Sequence, residues 1–158
     1  MSRILLTLCL GLSVIILPAA GSESVSDFQL EIRDTSNNLI QAFPVNDNEW
    51  CLYWNHSVTG IAVQDCYRIE KKQLLLSHSW QPDFAAGLGH VEGRGILSEH
   101  PEGGYLISEI NEPVTNNALW LRVGSRSVSH TLVSGNRELN LSEIAAGQRL
   151  LLLLNTTP

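Results

Sequence analysis

Four side chains of this 158-residue chain have the types needed for acyl transfer: His56, Ser57, Asp65 and His130. A serine hydrolase needs a histidine within hydrogen-bond reach of the serine hydroxyl and an acid that orients the histidine. His56 and Ser57 are adjacent, but the Gly-x-Ser-x-Gly motif that often surrounds a nucleophile is absent. We therefore favour a polar network in which Asp65 holds His56 or Ser57 in place. A hydrolase that uses Ser57 with His56 or His130 is the alternative.

Metal and phosphate sites have weaker support. The five histidines show neither His-x-x-x-His nor His-x-His spacing, so we expect no metal. Glycines are concentrated in residues 81–104, but the known phosphate-loop spacings are not met, and we expect no cofactor. Tight turns are the ordinary use of such glycines. A loop whose backbone amides approach a ligand is the other reading, and it adds Gly87 and Gly89 to the candidate site.

The stretch of residues 50–70 is predicted to form the β-hairpin that positions the polar residues. Two runs rich in aromatic and β-branched residues flank residues 58–60, where Gly60 can adopt the positive φ of a turn. A two-residue turn at residues 58 and 59 would place Cys51 directly opposite Cys66. In an oxidising compartment this pair is expected to form a disulfide, which contributes on the order of 3 kcal/mol in the chain-entropy model.

Residues 1–20 have the pattern of a secretory signal peptide. Arg3 precedes an apolar run of 14 residues, and small residues follow around Ala20, where a peptidase would cut. A membrane anchor is the rival reading, but a helix of this length spans only about 21 Å against roughly 30 Å of hydrocarbon. We therefore expect a periplasmic or secreted protein that contacts the membrane only through this leader before cleavage. Residues 21–158 are expected to form a single domain.

The charge of the mature chain excludes one class of partner. Without Arg3, 9 basic and 16 acidic residues remain, a net charge of −7 with histidine neutral. Nucleic acids are bound through clustered lysine and arginine, so we expect no nucleic-acid partner. With 44% hydrophobic residues, the chain has enough apolar material for a core.

Short strands separated by turn residues are predicted along the whole mature chain. Residues 28–33 alternate between apolar and polar side chains, which is typical of a half-buried strand. Further strands are predicted at residues 39–43, 73–80, 105–110, 118–123, 127–133, 138–141 and 149–154. Residues 81–104 are predicted to be irregular, and only residues 142–146 look helical, with Ser142 as the cap and Gly147 at the end. The pattern predicts an all-β fold: an antiparallel β-sandwich, or a barrel-like variant, with Greek-key or meander connections.

Several short motifs occur in the order found in one bacterial family. They are His56-Ser57-Val58, residues 63–67, residues 87–89, and His130-Thr131-Leu132 with Gly135 and Leu141. Over nearly all of its mature length the chain resembles an uncharacterised domain of unknown function. Members of that family are short, exported or membrane-linked, and often encoded beside TRAP transporters of the TAXI type. Asp65 stands where the family usually has a glutamate, Cys66 where an apolar residue is usual, and residues 86–89 match the family's glycine element only loosely.

The resemblance implies an envelope accessory to solute uptake and transfers no activity. We therefore expect an exported, non-catalytic binding or accessory protein that assists a TRAP-type uptake system, with a small-molecule ligand or a transporter component as its partner. A purely structural role for the polar cluster is a third reading. The expected site combines the polar hairpin residues, the glycine loop and one later histidine: His56, Ser57, Asp65, Tyr67, Gly87, Gly89 and His130.

Overall fold

The computed structural model describes residues 27–83 and 89–156 of the chain. The strands of these residues are β1 (Phe28–Arg33), β2 (Leu39–Val45), β3 (Glu49–Asn55), β4 (Ala62–Glu70), β5 (Gln73–Gln81), β6 (Ile96–Glu99), β7 (Tyr105–Ser108), β8 (Glu112–Pro113), β9 (Ala118–Arg122), β10 (Thr131–Ser134), β11 (Arg137–Asn140) and β12 (Arg149–Thr156). A 3₁₀ turn (Thr115–Asn117) precedes β9, and one short helix, α1 (Leu141–Ala145), precedes β12. The predicted signal peptide and Gly87 lie outside the described residues. None of the helical segments within those residues is long and apolar enough to cross a membrane.

The strands form two antiparallel sheets. The smaller sheet has the order β2-β1-β12-β9, and the larger has the order β11-β10-β3-β4-β5-β7-β6, with β8 also paired to β5. In the larger sheet β3, β4 and β5 follow one another as a meander, and β10 returns to the free side of β3, which is the strand order of a Greek key. The two sheets pack face to face without closing into a barrel, so the predicted β-sandwich is confirmed.

The core lies between the inner faces of the two sheets. The smaller sheet contributes fully buried leucines and isoleucine from its two central strands: Leu30, Ile32, Leu150 and Leu152. From the larger sheet, Trp50 stacks on Tyr67 with their ring centroids 4.3 Å apart and their planes 11° from parallel. Burial of these large side chains is the main favourable contribution to folding.

The β3–β4 hairpin has the predicted register. Cys51 faces Cys66, and the two form a disulfide with their Cα atoms 4.1 Å apart. The predicted two-residue turn is wrong, because residues 56–61 form a longer loop in which Gly60 has a φ of +70°. Within this loop the N–H of His56 donates to the carbonyl of Ile61 at 2.7 Å, and the N–H of Gly60 donates to the carbonyl of His56 at 2.8 Å.

Two strand boundaries differ from the prediction because of tertiary pairing. β2 continues through Pro44 to Val45, which a strand at the edge of a sheet allows because its outer side needs no N–H donor. β6 lies within the segment predicted to be irregular, where it pairs with β7 over Leu97 and Ile107.

Two predictions near the end of the chain are also corrected. Residues 127–130 are not the start of a strand, because residues 126–128 form a turn and β10 begins at Thr131. The side chain of Asn140, and not that of Ser142, caps α1 by accepting from the N–H of Glu143 at 3.1 Å. Ser142 is buried, and its hydroxyl accepts from the N–H of His130 at 3.0 Å.

The tryptophans differ in burial. Trp50 is almost completely buried, whereas Trp120 on β9 is 49% exposed. Strand β9 is at the edge of the smaller sheet. The guanidinium of Arg149 lies 4.8 Å from the centroid of the Trp120 ring, an arrangement typical of a cation–π contact.

Replacing both Cys51 and Cys66 by alanine should lower the free energy of unfolding by about 3 kcal/mol, because the cross-link no longer restricts the unfolded chain. Urea denaturation of the oxidised wild type and the double variant measures the difference. The control is the wild type unfolded in the presence of a reductant, which lacks the cross-link but keeps both cysteine side chains. A double variant as stable as the oxidised protein would contradict the prediction.

Candidate functional site

A cavity of about 270 Å³ lies where the ends of β3 and β9 meet the turn before β10. Its lining consists of Trp54, Asn55, His56, Ser57, Arg122, Val123, Gly124, Val128 and His130. Three of the predicted site residues are therefore brought together, and we call this site the histidine cavity. A concave site with an apolar wall and a few convergent polar groups is the usual form of a small-molecule site.

The turn before β10 is held against the end of β3 by hydrogen bonds from one residue. Besides its backbone bond to Val128, Asn55 donates from its side-chain amide to the carbonyl of Ser127 at 3.1 Å. Gly124 permits the close approach, since a Cβ atom at this position would lie 2.5 Å from the side chain of Val128. The wall of the cavity therefore depends on a glycine that the sequence did not single out.

His130 is 8% exposed and has a defined tautomer. Its Nδ1 accepts a hydrogen bond from the N–H of Gly124 at 2.9 Å. A nitrogen that accepts cannot carry a hydrogen, so the hydrogen of the neutral ring is on Nε2. Burial lowers the pKa of His130 below its ordinary value, which favours this neutral form. The ring also lies beside Trp54, with centroids 6.1 Å apart.

His56 has the same tautomer for a similar reason. Its Nδ1 accepts from the N–H of Thr59 at 3.2 Å and lies 3.0 Å from the Thr59 hydroxyl. These bonds belong to the loop between β3 and β4, and they leave the hydrogen of the neutral ring on Nε2. Ser57 is exposed at the same edge of the cavity.

Asp65 does not hold His56 or Ser57, contrary to the predicted network. Its Oδ2 accepts from the indole N–H of Trp54 at 3.1 Å, and its Oδ1 accepts from the hydroxyl of Ser79 at 2.8 Å. The register explains these partners, since Asp65 faces inward between β3 and β5 while His56 lies beyond the end of the paired strands. Asp65 thus supports the cavity indirectly by fixing the orientation of Trp54.

The remaining predicted residues lie away from the cavity lining. Tyr67 is buried in the core against Trp50, and its pKa is raised, first by burial and then by the negative charge of Asp65. Gly89 has a φ of +63° and is not among the lining residues. Conversely, Trp54, Asn55 and Arg122 belong to the site but were not predicted, because only the pairing of distant strands places them there.

A second cavity, of about 390 Å³, lies on the outer face of the larger sheet. It is lined by Glu49, Gln64, Arg68, Ser77, His78, Trp80, His100, Leu106, Ser108 and Glu109. It adjoins the disulfide, since the side-chain amide of Gln64 donates to the sulfur of Cys66 at 2.9 Å. It contains none of the predicted site residues, so we place the candidate site at the smaller histidine cavity. Within residues 27–83 and 89–156, no three His, Cys, Asp or Glu side chains are arranged to hold a metal ion.

Comparison with known proteins gives one family match. The model of a family described as a domain of unknown function, DUF1850, matches residues 51–141, more than half of the chain. The match includes the hairpin from Cys51 onward, all residues that line the histidine cavity, and β10. No curated protein and no solved structure matches the chain.

Replacing His130 by asparagine should reduce the pH dependence of stability. The folded protein has a lowered His130 pKa, so the unfolded chain binds more protons between that pKa and about 6.5. The wild type should therefore lose stability as the pH falls below about 6.5, until the folded-state pKa is passed. The H130N variant keeps an oxygen that can accept from Gly124 but cannot titrate. Urea unfolding from about pH 7.5 to about pH 5 measures the difference.

The control for this experiment is His90→Asn, because His90 is not a lining residue of the cavity. H90N should retain the pH dependence of the wild type. An H130N variant that loses as much stability as the wild type over the same range would contradict the prediction.

Replacing Asp65 by alanine should cost about 2 to 3 kcal/mol, because the indole N–H of Trp54 and the buried hydroxyl of Ser79 lose their acceptor. Asp65→Asn should cost less than about 1 kcal/mol, since its oxygen can accept from Trp54 and its amide can donate to Ser79. Chemical denaturation gives both values, and the NMR signal of the Trp54 indole N–H reports the hydrogen bond. Equal costs for the two variants would show that the charge, and not the hydrogen bonding, stabilises the fold.

Proposed function

Because this chain belongs to the DUF1850 family, a domain of unknown function, its role must be inferred from its own side chains, and we propose that it is a non-catalytic ligand-binding protein. The proposed site is the histidine cavity. Its lining combines an indole and two valines with four residues that carry polar side chains: His56, Ser57, Arg122 and His130.

The tautomer of the two histidines is the observation that carries this proposal. In a serine hydrolase, Nε2 of the histidine has a free lone pair that takes the serine proton, while Nδ1–H donates to an acid. Here the Nδ1 atoms of His56 and His130 both accept from backbone N–H groups. Each neutral ring therefore has its hydrogen on Nε2, where it can donate to a ligand but cannot take a proton from Ser57.

Asp65 supports the same conclusion. Catalysis by Ser57 would need an acid that accepts from a histidine, but the two oxygens of Asp65 accept from Trp54 and Ser79. Its hydrogen bond to Trp54 fixes the apolar wall against which a ligand would rest. Asp65, which the sequence suggested as the acid of a catalytic triad, is better suited to keep a binding surface rigid.

The wider role that we propose is that of an exported accessory to a TRAP-type uptake system of the TAXI kind. The signal-peptide pattern of residues 1–20 supports export, as does the Cys51–Cys66 disulfide, which suits an oxidising compartment. The association with a transporter rests on the family resemblance in the sequence motifs. In this role the cavity would bind a solute that a transporter component delivers or receives.

A hydrolase remains the second candidate, since Ser57, His56 and His130 line the same cavity. It would require one imidazole to give up its bond to a backbone N–H and to change tautomer before it could act as a base. Turnover of a broad ester and peptide panel by the wild type, abolished in a folded Ser57→Ala variant, would establish this function instead.

Native mass spectrometry of the protein purified from its own host should reveal a mass excess that disappears on denaturation. Ser57→Trp should abolish the excess, because an indole at this exposed position would fill the cavity without disturbing the core. The matched control is Ser36→Trp, an exposed serine in the turn between β1 and β2, which should retain the excess.

An excess that persists in S57W would place the ligand elsewhere, and the larger cavity beside the disulfide would be the next candidate. A wild type without any excess would shift the proposal from small-molecule binding to contact with another protein.

A further inference from the structure

We propose that the histidine cavity selects small organic anions, with a carboxylate bound by the Nε2–H groups of His56 and His130 and by the guanidinium of Arg122. This inference rests on the proposed binding function and adds the chemical class of the ligand. It follows from which groups line the cavity, how their hydrogens are placed, and which charges surround them.

Most polar side chains of the lining are hydrogen-bond donors. Both imidazoles have a hydrogen on Nε2, and Arg122 has only donors. Two side-chain oxygens also belong to the lining residues: the hydroxyl of Ser57, which can donate as well as accept, and the amide oxygen of Asn55. No aspartate or glutamate occurs among the lining residues within the described part of the chain. A ligand that accepts several hydrogen bonds at once, such as a carboxylate, satisfies this lining.

The formal charge of the lining is opposite in sign to that of the whole chain. It comes from Arg122, whose partner on β12, Arg149, does not line the cavity and has its guanidinium over the Trp120 ring. Arg126 in the adjacent turn is paired with Glu143 at 3.1 Å and adds little to this charge. The expected mature chain has a net charge of −7, which repels anions over most of its surface. A site lined by an arginine and by no acid is instead suited to attract them.

Asp65 is the acid that could oppose this preference. Asp65 does not line the cavity. Trp54 does line it, and its indole N–H donates to Asp65. Both carboxylate oxygens of Asp65 accept from neutral groups of the protein, which orient the carboxylate away from other partners but leave its charge in place. Among the described residues that line the cavity, Arg122 is the formally charged one.

The apolar wall indicates the rest of the ligand. Trp54, Val123 and Val128 contribute an aromatic ring and two branched side chains to the lining. At about 270 Å³ the cavity is slightly below the usual range for drug-sized ligands, roughly 300 to 1,000 Å³. A carboxylate attached to a compact apolar group fits the volume of the cavity and its mixed apolar and polar lining better than an inorganic anion does.

The test uses three probes with the same ring and different charge: benzoate, benzamide and benzylamine. Each is titrated into the ¹⁵N-labelled wild type, with NMR detection of the Trp54 indole N–H and of the ring nitrogens of His56 and His130. Benzoate should shift these signals and bind at least about tenfold more tightly than benzamide, since charge-assisted hydrogen bonds are the stronger ones. Benzylamine should not shift them. Inorganic phosphate, the fourth probe, should bind more weakly than benzoate.

Two arginine variants provide the matched comparison. Arg122→Gln should weaken benzoate binding by about tenfold, because it removes the charge but keeps a polar side chain. Arg126→Gln, in the adjacent turn but not in the lining, should change the benzoate affinity by less than about twofold. Both arginines are exposed, so neither variant should disturb the core.

The outcomes separate the ligand class from the binding function. Benzamide or benzylamine binding at these residues as tightly as benzoate would overturn the anion class and leave the cavity as a binding site. Phosphate binding more tightly than benzoate would replace the carboxylate by an inorganic or phosphorylated ligand. Unchanged benzoate binding in R122Q would overturn the role of Arg122. If no probe shifts these signals, the anion inference fails, and the mass excess sensitive to S57W decides whether the binding function fails too.

Discussion

The antiparallel pairing of β3 with β4 is the constraint on which both the core and the candidate site depend. Because side chains alternate along a strand, Trp50 and Trp54 face the smaller sheet together, while Cys51 faces outward. A slip of one residue would remove the stacking of Trp50 on Tyr67 and the hydrogen bond from Trp54 to Asp65 at the same time. The disulfide fixes this register covalently, so it serves the cavity without lining it.

The parts of the fold that depend on neighbouring residues could be predicted from the sequence. The alternation in β1, the opposition of Cys51 and Cys66, and the sandwich class all follow from local periodicity and turn chemistry. The length of the hairpin loop could not be predicted, because backbone hydrogen bonds set it: the N–H of His56 donates to the carbonyl of Ile61, and the N–H of Gly60 donates to that of His56. The predicted cap of α1 was wrong, since the hydroxyl of Ser142 accepts from the N–H of His130 and Asn140 caps the helix instead.

The sequence predicted which residues form the candidate site better than it predicted how they are arranged. His56, Ser57 and His130 do share a cavity, but Asp65 lies behind its wall and Tyr67 in the core. The tautomers on which we base the proposal of binding are set by the backbone N–H groups of Thr59 and Gly124, and such backbone donors cannot be identified from a sequence. Arg122 gains its place from the pairing of β9 with β12, which periodicity cannot reveal.

The position of β12 between β1 and β9 has a consequence for the order of folding. Asn155 on β12 reaches across 124 positions to Glu31 on β1, whereas the disulfide-linked positions of the hairpin are only 15 apart. Closing the longer loop costs about 2 kcal/mol more in chain entropy. The larger sheet can therefore nucleate on its own hairpin. The smaller sheet forms only after β12, from the other end of the chain, has paired with β1. Until then, the inner face of the hairpin that carries Trp50 and Tyr67 has no covering layer.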